Sequence, residues 1–171
     1  LLAVLDDGID VSVVKSGDKS IALKVSDAYS SVNYMLSDIS VINRPPQLKE
    51  IPEFELKINV TPQFVSKFIS GKGALSDTDN FTVITGDSGT KLVIGYSSVN
   101  TNRVTIPVTT SESSNIENIS FNANIFKEVL HANKECESAT LEVSSQGLSR
   151  ITFKVDDYTS TYYLVSVQDV D

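Results

Sequence analysis

Apolar and polar residues alternate with a period of two along most of the chain, the pattern of half-buried strands. In "FELKINV", Phe54, Leu56, Ile58 and Val60 fall on one side, and Glu55, Lys57 and Asn59 on the other. "FTVIT", "KLVIGY" and "RVTIPV" follow with turn residues between them, and later "ISF", "ATLEVSS", "RITFKV" and "TYYLVSV". Two interior stretches carry helical spacing instead. In "TPQFVSKFIS", Phe64, Val65, Phe68 and Ile69 make one apolar side, with Thr61 placed to cap it, Pro62 at its first position and a stop near Gly71 and Gly73. In "NANIFKEVLHANK", Phe126, Val129 and Leu130 make a similar stripe.

The order strand, short helix, three strands therefore runs from Glu55 to about Thr110 and again from about Glu117 to Asp169. An incomplete third copy occupies the start: "LLAVL" reads as the end of its helix, followed by "VSVVK", "IALKV" and "VNYMLS". The corner before each last strand shares lettering, "YSSVN" at Tyr29 and Tyr96 and "YTSTY" at Tyr158, which marks an internal repeat. Between the first and second copies, Pro45, Pro46 and Pro52 deny ladder donors and imply an extended connector. "TTSESSNIEN" reads as a polar junction between the second and third.

Composition narrows the class. At 171 residues the chain can bury a real core, and nowhere do eighteen apolar residues run together, which excludes a membrane-spanning helix. It begins with Leu1, and the apolar run is broken at once by Asp6-Asp7-Gly8; the expectation is a cut inside a structural element of a longer parent. The single cysteine, Cys136, cannot form an internal disulfide, which suits a reducing compartment. The Asn-X-Ser/Thr triplets at Asn59, Asn80 and Asn118 then read as chance matches.

"TGDSGT", Thr85 to Thr90, matches the peptide around a trypsin-like nucleophile. A serine nucleophile needs a histidine base held by a third group, and the only histidine, His131, lies on a helix of the next copy. Ser88 reads as a turn residue. "SGKG" lacks the first glycine of a phosphate loop, and Asp77 and Asp79 lack the glutamate that closes a calcium loop, so they read as a solvated loop. With one His and one Cys, a zinc site of those types is not available. No catalytic residue, metal site or cofactor is expected.

Net charge is −8, which argues against a generally basic nucleic-acid binder, yet local potential steers a polyanion. Lys67 and Lys72 are the charged residues from Thr61 to Ser76, and Lys127, His131 and Lys134 follow at i, i+4 and i+7. Both helices thus offer an apolar side to a sheet and a basic side to solvent. Cations segregated in an acidic chain suit phosphates without base readout.

The order and lettering resemble the sliding clamp of T-even-type bacteriophages, the DNA polymerase processivity factor. The resemblance runs from "LLAVLDDGIDVSVVKSGDKSIALKVSDAYSSVNYMLS" through "LKINVTPQFVSKFISGKGAL" to "ISFNANIFKEVL" and "YTSTYYLVSVQD". It implies an α+β, DNA-clamp fold of repeated β-α-β-β-β modules, with helices on one face of antiparallel sheets. Residues 1–42 would be the latter part of an N-terminal clamp domain, 43–54 the connector, and 55–171 a complete C-terminal domain of modules 55–110 and 117–171.

The function implied is non-enzymatic: a homotrimeric ring around duplex DNA that tethers the polymerase, loaded by a clamp loader, in the cytoplasm of an infected bacterial host. Lys67, Lys72, Lys127 and Lys134, with His131, would face the DNA. Val41, Ile42, Pro46, Leu48 and Ile51 would receive partner tails. The alternative is a structural or virion β-rich repeat domain that binds no DNA.

Overall fold

The computed structural model describes residues 8–42, 50–97, 99, 102–112, 114–136 and 138–167. The chain divides into two units, Leu1–Lys49 and Glu50–Asp171. In the first, β1 (Asp10–Ser16), β2 (Lys19–Ser26) and β3 (Ser31–Met35) form an antiparallel sheet in that order. Gly17 makes the β1–β2 turn at φ 59°, a conformation that favours glycine. Asp27 shapes the next corner by accepting from the backbone N–H groups of Tyr29 and Ser30. Register stacks Val11, Val25 and Val32 in one row and Val13, Leu23 and Tyr34 in the next. The "LLAVL" segment lies outside the described residues.

The second unit opens with β4 (Leu56–Val60), α1 (Pro62–Ala74), β5 (Asn80–Ile84), β6 (Lys91–Ile94), β7 (Val104–Pro107) and β8 (Thr110–Glu112). It continues with β9 (Ile119–Asn122), α2 (Ala123–Ala132), β10 (Ser138–Val143), β11 (Leu148–Val155) and β12 (Tyr158–Val165). Two antiparallel sheets result, ordered β12-β11-β10-β4-β8 and β7-β6-β5-β9. The repeats are not self-contained. β4 pairs with β10 of the second repeat, and β9 pairs with β5 of the first, so each repeat lends its opening strand to the other's sheet.

The alternation in the sequence builds these layers directly. Leu56, Ile58 and Val60 are buried, and Leu141, Ile151 and Phe153 join them in one core with Phe81 and Phe121 of the other sheet. The helices add Phe64, Phe68 and Phe126; Phe68 meets Phe81 of the sheet edge-on at 5.2 Å and Phe126 stacks on it, while Phe68 stands 4.9 Å from Phe126 and Phe64 packs against both helical rings. Such aromatic pairs add stability beyond the area they bury. The helices lie on the core side of the sheets, as the α+β reading requires.

Three details differ from expectation. α1 runs through Gly71 and Gly73 to Ala74. Gly71 serves proximity instead of termination, because a Cβ there would lie 2.9 Å from Val104 Cγ1 of β7. The polar junction contains a strand, β8, which pairs with β4 and lets Lys57 Nζ donate to Glu112 Oε1 at 2.7 Å. Phe54 precedes β4 and does not share the inward side of Leu56. Its ring lies instead under the Arg150 guanidinium at 4.6 Å. Asp77 and Asp79 are exposed, as a solvated loop requires, with the Asp79 backbone carbonyl accepting from Ala123 N at 2.7 Å and its carboxylate from Asn124 Nδ2 at 3.0 Å.

Candidate nucleic-acid interface

Thr61 starts α1 as its spacing predicts, with Oγ1 accepting from Phe64 N at 3.2 Å and Pro62 at the first position. Asn122 does the same for α2, accepting from Ile125 N at 2.9 Å. With Phe64, Val65, Phe68 and Gly71 buried, the α1 surface left to solvent carries Gln63, Ser66, Lys67 and Ser70. At about 100° per residue, Lys67 lies on the flank shared with Gly71, while Val65 and Ile69 form the opposite flank.

Lys72 departs from the expected role. It is 4% exposed, and its Nζ donates to the carbonyls of Ser76 at 2.9 Å and Leu75 at 3.3 Å. A cation at a helix C-terminus satisfies carbonyls that have no partner in the helix and opposes the dipole. Lys72 is therefore a cap for α1, and the pairing of Lys67 with Lys72 on one solvent side is corrected.

α2 also differs. It ends at Ala132, where Asn133 caps it by donating from Nδ2 to Val129 O at 2.8 Å and to Tyr162 Oη at 3.2 Å. Lys134 thus lies in the turn after the helix, not at the third position of a helical stripe. From that turn it lines a groove with Pro62, Val65, Ser66, Ile69 and Ser70 of α1. Lys127 is half-buried, and His131 and Lys134 are exposed. The sequence reading overlooked Glu128, which is exposed on the same short helix, and Ile125, 56% exposed. The i, i+4 count could have found Glu128 beside Asn124 on the outward side.

Two ion pairs form elsewhere in this unit, on the five-stranded sheet. Tyr163, Arg150, Glu142, Lys57 and Glu112 are successive cross-strand neighbours, one from each strand of the five-stranded sheet. Arg150 Nε donates to Glu142 Oε2 at 2.6 Å, and Lys57 pairs with Glu112. These carboxylates hold Arg150 and Lys57 above their ordinary pKa values, chiefly through the hydrogen bonds themselves. Among the described residues, Lys67, Lys127, His131 and Lys134 have no ion-pair partner.

The remaining sequence candidates separate. Val41 and Ile42 are 72% and 55% exposed in the first unit, while Pro46 and Leu48 lie outside the described residues. Ile51 is exposed in the second unit, on a cleft it lines with Pro52, Phe54 and Arg150. Ser88 occupies the β5–β6 loop, closed by Gly89 N donating to Gly86 O at 2.9 Å with Gly89 at φ 93°, a turn as expected. Burial raises the Cys136 thiol above its ordinary pKa, the opposite of an activated nucleophile.

Proliferating cellular nuclear antigen from Entamoeba histolytica matches 98% of this chain over 67% of its own, with a TM-score of 0.65 at 17% identity. The A. fulgidus homologue of that antigen, solved with the C-terminal region of FEN-1 bound, matches 94% of this chain over 65% of its own, with a TM-score of 0.66 at 16% identity. The DNA polymerase III β subunit of Thermotoga maritima matches 92% of this chain over 41% of its own, with a TM-score of 0.57 at 17% identity. This chain has the sliding-clamp fold. It spans about two thirds of the length of the nuclear antigens and less than half of the β subunit. No protein-family model matches the sequence, and no curated protein does. The clamp fold accounts for the two sheets backed by two short helices; Lys67, Lys127 and His131 stand on those helices and Lys134 in the adjoining turn, while Lys91, Arg103 and Lys154, outside that layer, also lack ion-pair partners among the described residues.

Proposed function

We propose that this protein is a sliding clamp that encircles duplex DNA and tethers a replicative polymerase, without enzymatic activity or base readout. The observation that carries the reading is the helical layer of the clamp fold, where Lys67, Lys127, His131 and Lys134 stand free of carboxylate partners. A ring needs little affinity, since topology retains it, and a few cations suffice to let phosphates slide past. Glu128 is consistent with weak contact, because tight binding would oppose motion.

In this reading residues 1–42 are part of an N-terminal clamp domain, 43–54 a connector, and 55–171 the C-terminal domain, within a homotrimeric ring. Lettering supports a T-even-type phage source, hence a host-cytoplasm location and a clamp loader as partner. The bound FEN-1 segment in the A. fulgidus structure supports capture of partner tails, for which Ile51 is the exposed candidate, with half-buried Phe54 on the same cleft.

Charge reversal at Lys67 and Lys127 tests the reading. Primer extension on circular template should lose its stimulation while circular dichroism and melting stay unchanged. Full stimulation by the double variant would refute the assignment of the helical layer to DNA.

A further inference from the structure

The ladder between β4 and β10 stops at the pair Leu56–Val143. One residue earlier, a side chain takes over from the backbone. The Glu55 carboxylate accepts from Ser145 N at 3.0 Å through Oε2 and from the Ser145 hydroxyl through Oε1, a contact between residues 90 positions apart. Ser145 is a firm anchor, because its loop is closed by Gly147 N donating to Ser144 O at 3.0 Å and Ser144 N donating to Leu148 O at 2.9 Å. The next residue back, Phe54, lies under the Arg150 guanidinium at 4.6 Å, and Arg150 is itself held by Glu142 at 2.6 Å.

Residues 50–55 belong to no helix or strand. Pro52 has no N–H to give a ladder, and among the described residues Ile51, Pro52 and Glu53 make no hydrogen bond or ion pair. Nevertheless residues 51–54 supply part of the lining of a cleft of about 340 Å³, whose remainder is the two ion pairs Lys57–Glu112 and Arg150–Glu142. Charged groups already satisfied by one another leave little to recognise a charged ligand, so the shape of the 51–54 wall decides what the cleft accepts. That wall is held from its C-terminal end, by Phe54 and Glu55.

We propose that Phe54 and Glu55 form a two-point clasp, on Arg150 and Ser145, that holds residues 51–53 away from the sheet as the preformed wall of this cleft. Glu55 and Ser145 are then positioning residues for capture of a partner tail, although neither lines the cleft. The proposal rests on the tail-capture reading and adds what sets the wall in place. A wall ordered beforehand spares the tail the entropy of ordering it on binding.

The test has two arms on the full chain. By NMR, the Arg150 side-chain protons should show an upfield ring shift from Phe54, and the 51–53 backbone should be as ordered as β4. Glu55→Ala should reduce both together, and Ser145→Ala, which spares residues 51–55, should do so in part. In primer extension on circular template, Glu55→Ala and Phe54→Ala should raise the half-saturating clamp concentration roughly fivefold, the worth of one such contact. Phe54→Tyr keeps a ring for the guanidinium and should restore it. An Arg150 shift and a 51–53 segment unmoved by Glu55→Ala overturn the clasp, whatever the polymerase does. A clasp that loosens while half-saturation stays constant overturns its role in partner capture and leaves the clamp reading standing. Absence of any stimulation by the unaltered chain refutes the clamp reading, and the capture role falls with it, while the NMR arm still decides the clasp.

Discussion

Gly71 of α1 lies so close to Val104 of β7 that an added Cβ would come within 2.9 Å of the valine Cγ1 and 3.4 Å of its Cβ. The contact seats the helix against an edge strand, and a branched side chain has little freedom to retreat. Alanine normally stabilises a helix interior by up to about 1 kcal/mol over glycine. Here overpacking reverses the sign, and Gly71→Ala should cost about 1–2 kcal/mol. In a Val104→Ala background the same change should become neutral or stabilising. Urea unfolding of the four proteins in the cycle reads the coupling.

The exchange of opening strands has a consequence for folding. Residues 55–110 alone would lack β10, on which β4 pairs, and residues 117–171 alone would lack β5, on which β9 pairs. Each fragment should be poorly structured by circular dichroism and amide NMR. Mixing the two should restore native spectra. A stably folded isolated fragment would show that the lent strand is dispensable.

Lys67 and Lys72 are five residues apart on one helix and should behave oppositely. Lys72→Met should lower stability by about 1 kcal/mol, since it strips charge-assisted bonds from Leu75 and Ser76. It should leave the salt dependence of DNA binding intact. Lys67→Gln should leave stability intact and reduce the salt slope by about one. Thermal melting and DNA titration at several salt concentrations distinguish the two.

Glu55 accepts from both the backbone N–H and the hydroxyl of Ser145, and these bonds hold its carboxyl below the ordinary glutamate value of 4.5. A lowered folded-state value means that the linked stability is fully present above pH 4.5 and is lost as pH falls through the folded value. Glu55→Gln should therefore flatten the acid limb of the stability profile while leaving its neutral-pH shape unchanged. Denaturation midpoints from pH 7 down to about pH 3 check this. An unaltered acid limb would assign the acid sensitivity to other carboxylates.

Much of this architecture is legible residue by residue. The period-two alternation of Leu56, Ile58 and Val60 reports a half-buried strand, because adjacent side chains must point to opposite sides. Thr61 followed by Pro62 reports the start of α1, because capping chemistry is local. Lys72 was misread because helical spacing says which side a residue occupies but not whether the next turn folds back over it. Lys134 was misread because the helical count was carried past Ala132, where Asn133 caps the helix on Val129 O and also reaches Tyr162, 29 residues away. Phe54 was misread because alternation was extended past the end of a ladder.

The chain's own pattern thus determined most of the strands, both helices, the Thr61 cap and the amphipathic character of the helices, all set by interactions within a few residues. Tertiary structure alone decided which sheet each opening strand joins, which lysine is a cap and which is free, and that Ser66, Ser70 and Lys134 share a groove. Those outcomes rest on contacts between segments far apart in the chain, and no local spacing rule encodes their register or proximity.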